Sequence, residues 1–479
     1  MILYKGEYVK MSEETSQRSP LLARISYDKI FCYVSMALFL FLPIAEIITE
    51  VMGKNKIKVG GRTPYPSYFQ PYIVAVFGGI LALFVILNFI SRIASGKFKL
   101  YVADVFFFTL FIFMILSMVF SVNPGVFAGG SKFYCERPEI FLCYYCLYFA
   151  GSMIEDSNLR KKMLYTYFAV ALIQGVVAFL QTFRIEIHYC LFLYNRASTT
   201  SAYGLLQNTN FYGALSLVFV ASVSGLFIFS SVLFKRNMIF KWIAFGVALF
   251  VFYTMLASYS RLAWLGFAGM ICTYIVSFIV MRKSTMDKDK LKKIVIDFLI
   301  MCGGFVAIIL ISTLATNVVT SRIKETANDT LAKVGDDNFG HGRGRIWRAG
   351  ISSIPKHWVT GIGLDNYAQS FRELADWKKG DFIQDKGHNE YLHTLVTQGV
   401  FAFVNYLAVL IYATVNAVKR IINEKDDVKR CIHWIFLAIF AAYACQAILN
   451  SSVLNVAPYF WIIIGLLTPR TKPITFKKG

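Results

Sequence analysis

The chain has 479 residues, of which 57% are apolar and only 16% charged. Its 49 Lys and Arg exceed its 28 Asp and Glu by a net charge of +21, and its mean hydropathy is +0.55. Soluble domains run about 45–50% apolar and about 25% charged, so the composition excludes a disordered chain and argues against a large soluble enzyme. It points to an all-α, polytopic membrane protein. The net charge does not require nucleic acid, because membrane topology accounts for it.

About 20 mostly apolar residues make a membrane span. Twelve stretches qualify, roughly 28–51, 70–91, 100–121, 138–154, 163–183, 209–234, 239–257, 262–281, 294–316, 391–418, 431–450 and 455–468. The fourth and twelfth are the shortest. No run alternates at period two, which excludes a membrane β-barrel. The first span begins after 27 residues and has no small-residue cleavage site behind it, so it reads as a retained helix.

Orientation follows from Lys and Arg. With the N-terminus inside, the inner segments carry 29 of these residues and the short outer loops 9. The remaining 11 lie in one long loop, where the rule does not apply. Lys54, Lys56, Lys58 and Arg62 of the first outer loop fall on the wrong side. The expected organisation is a cytoplasmic segment over 1–27, nine helices over 28–316 and an extracytoplasmic loop over 317–390. Three helices over 391–468 and a cytoplasmic tail over 469–479 follow.

The long loop is nearly neutral, and long loops in compact proteins are usually functional. Its segment 345–354 has apolar residues at helical spacing, suited to a helix lying at the membrane surface. No internal repeat is visible, and no Lys or Arg falls in mid-span; Asp104 and Asp297 lie near span ends. Cys143 and Cys146 read as apolar helix residues. Cys135 and Cys190 both fall in outer loops, within topological reach of a disulfide.

Four polar clusters are expected on the outer face. They are Gln207-Asn208-Thr209-Asn210, Ser258-Tyr259-Ser260-Arg261, the glycine-spaced run 340–345 with Arg343 and Arg345, and His388-Asn389-Glu390-Tyr391. Arg261 sits at the membrane boundary, suited either to headgroups or to a lipid-linked phosphate. A guanidinium can grip two phosphate oxygens and keeps its charge. Glycines around Arg343 and Arg345 would let the backbone approach a ligand. A solvated flexible loop is the alternative. His388 is either an interfacial structural residue or a general base. Asp336-Asp337 reads as solvated loop charge rather than a metal site.

His388-Asn389, then nine residues, then Gly399 resembles a motif of the O-antigen ligase and O-antigen polymerase superfamily, with Ala402 departing from its usual ending. Gly204 through Asn210, Ser260-Arg261-Leu262-Ala263-Trp264, and Gly342-Arg343 through Trp347 leading to Gly361-Ile362-Gly363 are similar in order and spacing. The resemblance covers about 200–470. It implies an integral-membrane glycosyltransferase of GT-C-like fold, with no nucleotide cofactor and, in the ligases, no metal. It implies an undecaprenyl-diphosphate-linked oligosaccharide donor and a glycan or lipid-glycan acceptor, meeting outside the cytoplasmic membrane. His388 would be catalytic and would act on the acceptor. Arg261 and Arg343, with Arg345 as a substitute, would bind the diphosphate; Asn208, Asn210 and Asn389 would shape the cavity. A polysaccharide polymerase shares these motifs, and a lipid-linked glycan flippase or transporter is the reading from another class. The loop of about 25 residues between the fifth and sixth spans is short for a polymerase.

Overall fold

The computed structural model describes residues 25–54, 69–123, 136–188, 192–195, 201–206, 208–234, 237–283, 286–315, 337, 339–378, 380–381, 383–468, 470 and 473–475. Cys135, Cys190, Gln207, Asp336, Lys56, Lys58 and Arg62, all singled out above, lie outside the described residues.

The apolar runs form α1 (Tyr27–Lys54), α2 (Gln70–Ala94), α3 (Val102–Val119), α4 (Pro138–Met153) and α5 (Ser157–Thr182). They continue as α6 (Thr209–Ile228), α7 (Met238–Ala257), α8 (Arg261–Arg282) and α9 (Lys288–Ala315). The long loop contributes α10 (Phe339–His357) and a 3-10 turn at Tyr367–Glu373 before α11 (Glu390–Asn423), α12 (Asp427–Gln446) and α13 (Ala457–Leu467). Several helices start on side-chain caps: Asp156, Asn208, Asn237, Asn389 and Asp426 each accept an amide of the first turn. Such caps satisfy amides that no helical carbonyl can reach.

Ten helices among the described residues are long and apolar enough to cross a membrane. The two shorter ones, α4 with 16 residues and α13 with 11, stand at the fourth and twelfth expected spans. Both are buried along their length, together with α6. Surrounded by protein, they need not match the lipid thickness. The peripheral helices turn Ile86, Ile90, Ile279, Leu299 and Leu310 outward, the pattern of a lipid-facing rim. This is an all-α polytopic membrane protein. The departure from pure helix is a short antiparallel hairpin, β1 (Ile185–His188) with β2 (Phe192–Asn195).

The long loop folds on a core of its own, made of Ile346, Ala349, Ile362, Tyr367, Phe371, Leu374 and Val396. The helix expected over 345–354 forms, and its apolar stripe supplies Ile346 and Ala349 to this core. Val396 belongs to α11, so the loop core reaches into a membrane-spanning helix.

That reach has a backbone cause. α11 breaks at Gly399, whose φ of 84° and ψ of 174° are non-helical. The segment after α10 fills the break. Val400 N–H donates to Trp358 O at 2.7 Å, Ile362 N–H to Val396 O at 2.9 Å and Gly363 N–H to Thr397 O at 2.9 Å. Ser117 Oγ on α3 donates to Thr397 O at 2.8 Å. The groups freed by the break are thereby paired, as an apolar environment demands. This close approach accounts for the glycines of Gly361-Ile362-Gly363, since a Cβ on Gly361 would stand 2.3 Å from the Thr397 carbonyl carbon.

Candidate active site

Three of the four polar clusters line one cavity. It encloses about 220 Å³ and is lined by Ser201, Thr209, Asn210, Ser258, Tyr259, Arg261, Leu262 and Arg343. Local structure explains the convergence. Asn208 caps α6, its Oδ1 accepting from Asn210 N–H at 2.9 Å and Phe211 N–H at 3.3 Å. This commits Asn208 to the helix start and leaves Asn210 to face the cavity. A Cβ on Gly213 would lie 2.4 Å from Ser260 Cβ, so the first turns of α6 and α8 meet as closely as a glycine permits. Arg261 opens α8, and the turn before it holds Tyr259 at a φ of 57°. A tyrosine in the left-handed region is uncommon and concentrates at constrained sites.

The two arginines of the glycine-spaced run part company. Arg343 lines the cavity and leans toward Gly340 O at 3.5 Å. Arg345 points elsewhere and pairs with Asp381 at 2.9 Å. Asp337 pairs with Arg348 at 2.7 Å.

His388 is within electrostatic reach of the cavity's Arg343 and of Lys386. Burial first, then those two cations, push its imidazole down to about 4, so it is neutral near pH 7. Its φ is 46° and its amide donates to Ser451 Oγ at 2.9 Å. Asn389 caps α11, accepting from Leu392 N–H at 2.9 Å. Asn389 and Asn208 are thus both helix caps, of α11 and α6.

Sequence reasoning missed the supports. Glu46, on α1 and 3% exposed, accepts from Gln174 Nε2 at 2.8 Å. Gln174 Oε1 in turn accepts from Leu205 N–H at 3.0 Å, and Gln181 Oε1 from Tyr203 and Gly204 N–H. These bonds hold the segment leading to Asn208. Glu390 accepts from Tyr406 at 2.7 Å and Tyr443 at 2.9 Å. An acidic residue inside an apolar span is a signal that could have flagged Glu46. Its partners are far apart in the chain and gave none. Cys143 and Cys146 are buried free thiols in α4.

The arrangement offers two cations and the starts of two membrane helices, whose amides and dipoles favour an anion, with a neutral imidazole nearby. Residues 245–407 match the family model described as O-antigen ligase. This part of the chain is similar to the O-antigen ligase family. No curated protein matches the chain. The O-antigen ligase segment runs from α7 into α11 and contains Arg261, Arg343, Arg345, His388, Asn389 and Gly399. It is narrower than the resemblance read from motifs, and Asn208 and Asn210 precede it. The match supports a ligase- or polymerase-type glycosyltransferase and implies a lipid-linked glycan donor and a glycan acceptor in a membrane.

Proposed function

We propose that the protein is an O-antigen-ligase-like transferase. It moves a glycan from undecaprenyl diphosphate to an acceptor hydroxyl on the outer face of the cytoplasmic membrane. The observation that carries this reading is the cavity shared by Arg261, Arg343 and Asn210, with a neutral His388 within electrostatic reach of Arg343. The excess of Lys and Arg at the opposite end supports the outward placement. So does the folded core of the long loop around α10 and Tyr367–Glu373, taken as an extracytoplasmic unit.

His388 takes the proton of the acceptor hydroxyl. The acceptor oxygen bonds to the anomeric carbon as the bond from that carbon to the diphosphate oxygen breaks. The diphosphate leaves with the electron pair, and Arg261 and Arg343 stabilise the charge that grows there. His388 then releases its proton to water. Asn208, Asn210 and Asn389 shape the cavity wall. Arg345 serves the site indirectly, by tying the start of α10 to Asp381.

Arg343→Ala is expected to lower kcat/KM by about 100-fold or more, the scale of a lost transition-state donor. Arg345→Ala gives up a half-exposed ion pair and costs less than about 5-fold. Initial rates with a lipid-linked oligosaccharide check both. Equal effects would sink the division of roles.

The defining assay uses purified protein in lipid discs with an undecaprenyl-diphosphate-linked oligosaccharide, read by mass. Free carrier diphosphate and a glycosylated product, formed only with a separate acceptor, supports a ligase. A ladder of carrier-linked repeats without added acceptor would show a polymerase instead. Carrier movement with no glycosidic bond formed would overturn both.

A further inference from the structure

We infer that the buried pair Glu136–Lys386 is a clamp that positions His388. This rests on the reading of His388 as the proton acceptor.

Lys386 and Glu136 are each 1% exposed at their side chains and form a direct ion pair. They come from the start of α4 and the end of the long loop, 250 residues apart in the chain. Glu136 Oε1 accepts from the Tyr144 hydroxyl at 2.8 Å and from the Ser452 hydroxyl at 3.1 Å. Asp365, from the glycine-rich run after α10, stands 3.8 Å from the Lys386 ammonium. Two separate elements therefore grip a lysine two residues before His388, and a third, through Ser452, holds the glutamate. Ser451, neighbour of the serine that binds Glu136, accepts the His388 amide. Both grips act at the N-terminal side of a residue held at a φ of 46°. A left-handed backbone of this kind persists only where its surroundings over-determine it.

A buried ion pair is a poor source of net stability, because desolvation offsets attraction; a neutral replacement of similar volume often folds as well. Its retention here fits a geometric role better than a stabilising one. Glu136 and Lys386 touch no reacting atom and are positioning residues.

The test compares Lys386→Met, Glu136→Gln and the double variant in lipid discs. Hydrogen exchange of the His388 amide is measured without any glycan. Lys386→Met is expected to speed it about 10-fold or more, with α6 and α12 as protected as in the parent. Transfer should fall about 100-fold, the scale of a catalytic group displaced by an ångström. Binding of undecaprenyl diphosphate, the probe, should stay within about twofold. The double variant should regain the parent's melting temperature but neither the His388 protection nor the transfer rate. A double variant that recovers both would show a packing role only and overturn the clamp. Loss of probe binding together with transfer would overturn it too, since the pair would then support the whole bundle. If the parent forms no glycosidic bond, the proposed function falls, and the exchange measurement still decides the clamp.

Discussion

Alanine at position 388 is expected to leave the protein folded and able to hold the carrier diphosphate, while slowing transfer by about 10²- to 10⁴-fold in kcat. The Arg261–Arg343 cavity is lined by other residues, so removal of the imidazole leaves it intact. The pH profile carries a second, independent signature. An ordinary histidine would lose its neutral form below pH 6.5. His388, held down to about 4 by burial and by Arg343 and Lys386, stays a competent base well below that. The acid limb of kcat/KM should therefore lie near pH 4, since that parameter reports the free enzyme. The sign for stability is the same. A folded pKa depressed below the unfolded value gives a contribution present above about pH 6.5 and lost as pH falls toward 4. Rates and melting temperatures across pH 3.5–8 measure both. An acid limb at 6.5, or full activity in His388→Ala, would remove His388 from the mechanism.

Gly399→Ala is expected to be a severely damaging single-methyl change. At a φ of 84° and ψ of 174° the backbone occupies a region essentially restricted to glycine. The added Cβ would also stand 2.2 Å from Val359 O and 2.8 Å from Thr360 N. These are backbone atoms, so no side-chain rotation relieves the clash. Strain and collision together should cost more than about 4 kcal/mol, the range in which a specific structural cause is required. The purified variant should show a large loss of folded yield in detergent. Gly79→Ala, with nothing within 4 Å of its Cβ, is the control and should behave as the parent. Equal yields of the two variants would mean that the break in α11 is not what holds the loop.

Much of the architecture could be read from the sequence because lipid imposes a simple rule. An apolar run of sufficient length has one way to satisfy its backbone, and ten such runs are helices here. The placement of Arg261 was legible for a related reason: a connection of four residues leaves no freedom about where it sits. The division between Arg343 and Arg345 was not legible. Spacing puts both at the start of one helix, and only Asp381, 36 residues away, draws one of them off. The interruption of α11 was equally hidden. Residues 391–418 read as one apolar stretch, and glycine is common in membrane helices. What makes Gly399 a break is the arrival of Trp358–Gly363, a contact that periodicity cannot announce. Glu136 and Lys386 each looked like an unremarkable loop charge. Their meaning lies in their pairing across 250 residues.

The docking of Trp358–Gly363 into the interrupted helix has a consequence for how this protein could be recombined. A long loop would ordinarily be transplanted by cutting where the chain enters the membrane, near residue 390. Here that cut would sever Ile362 and Gly363 from the carbonyls of Val396 and Thr397, and Val400 from Trp358. The exchangeable cassette therefore extends a further ten residues, into the apolar half of a spanning helix, with Gly399 included. A change of loop between relatives would carry part of the membrane domain with it.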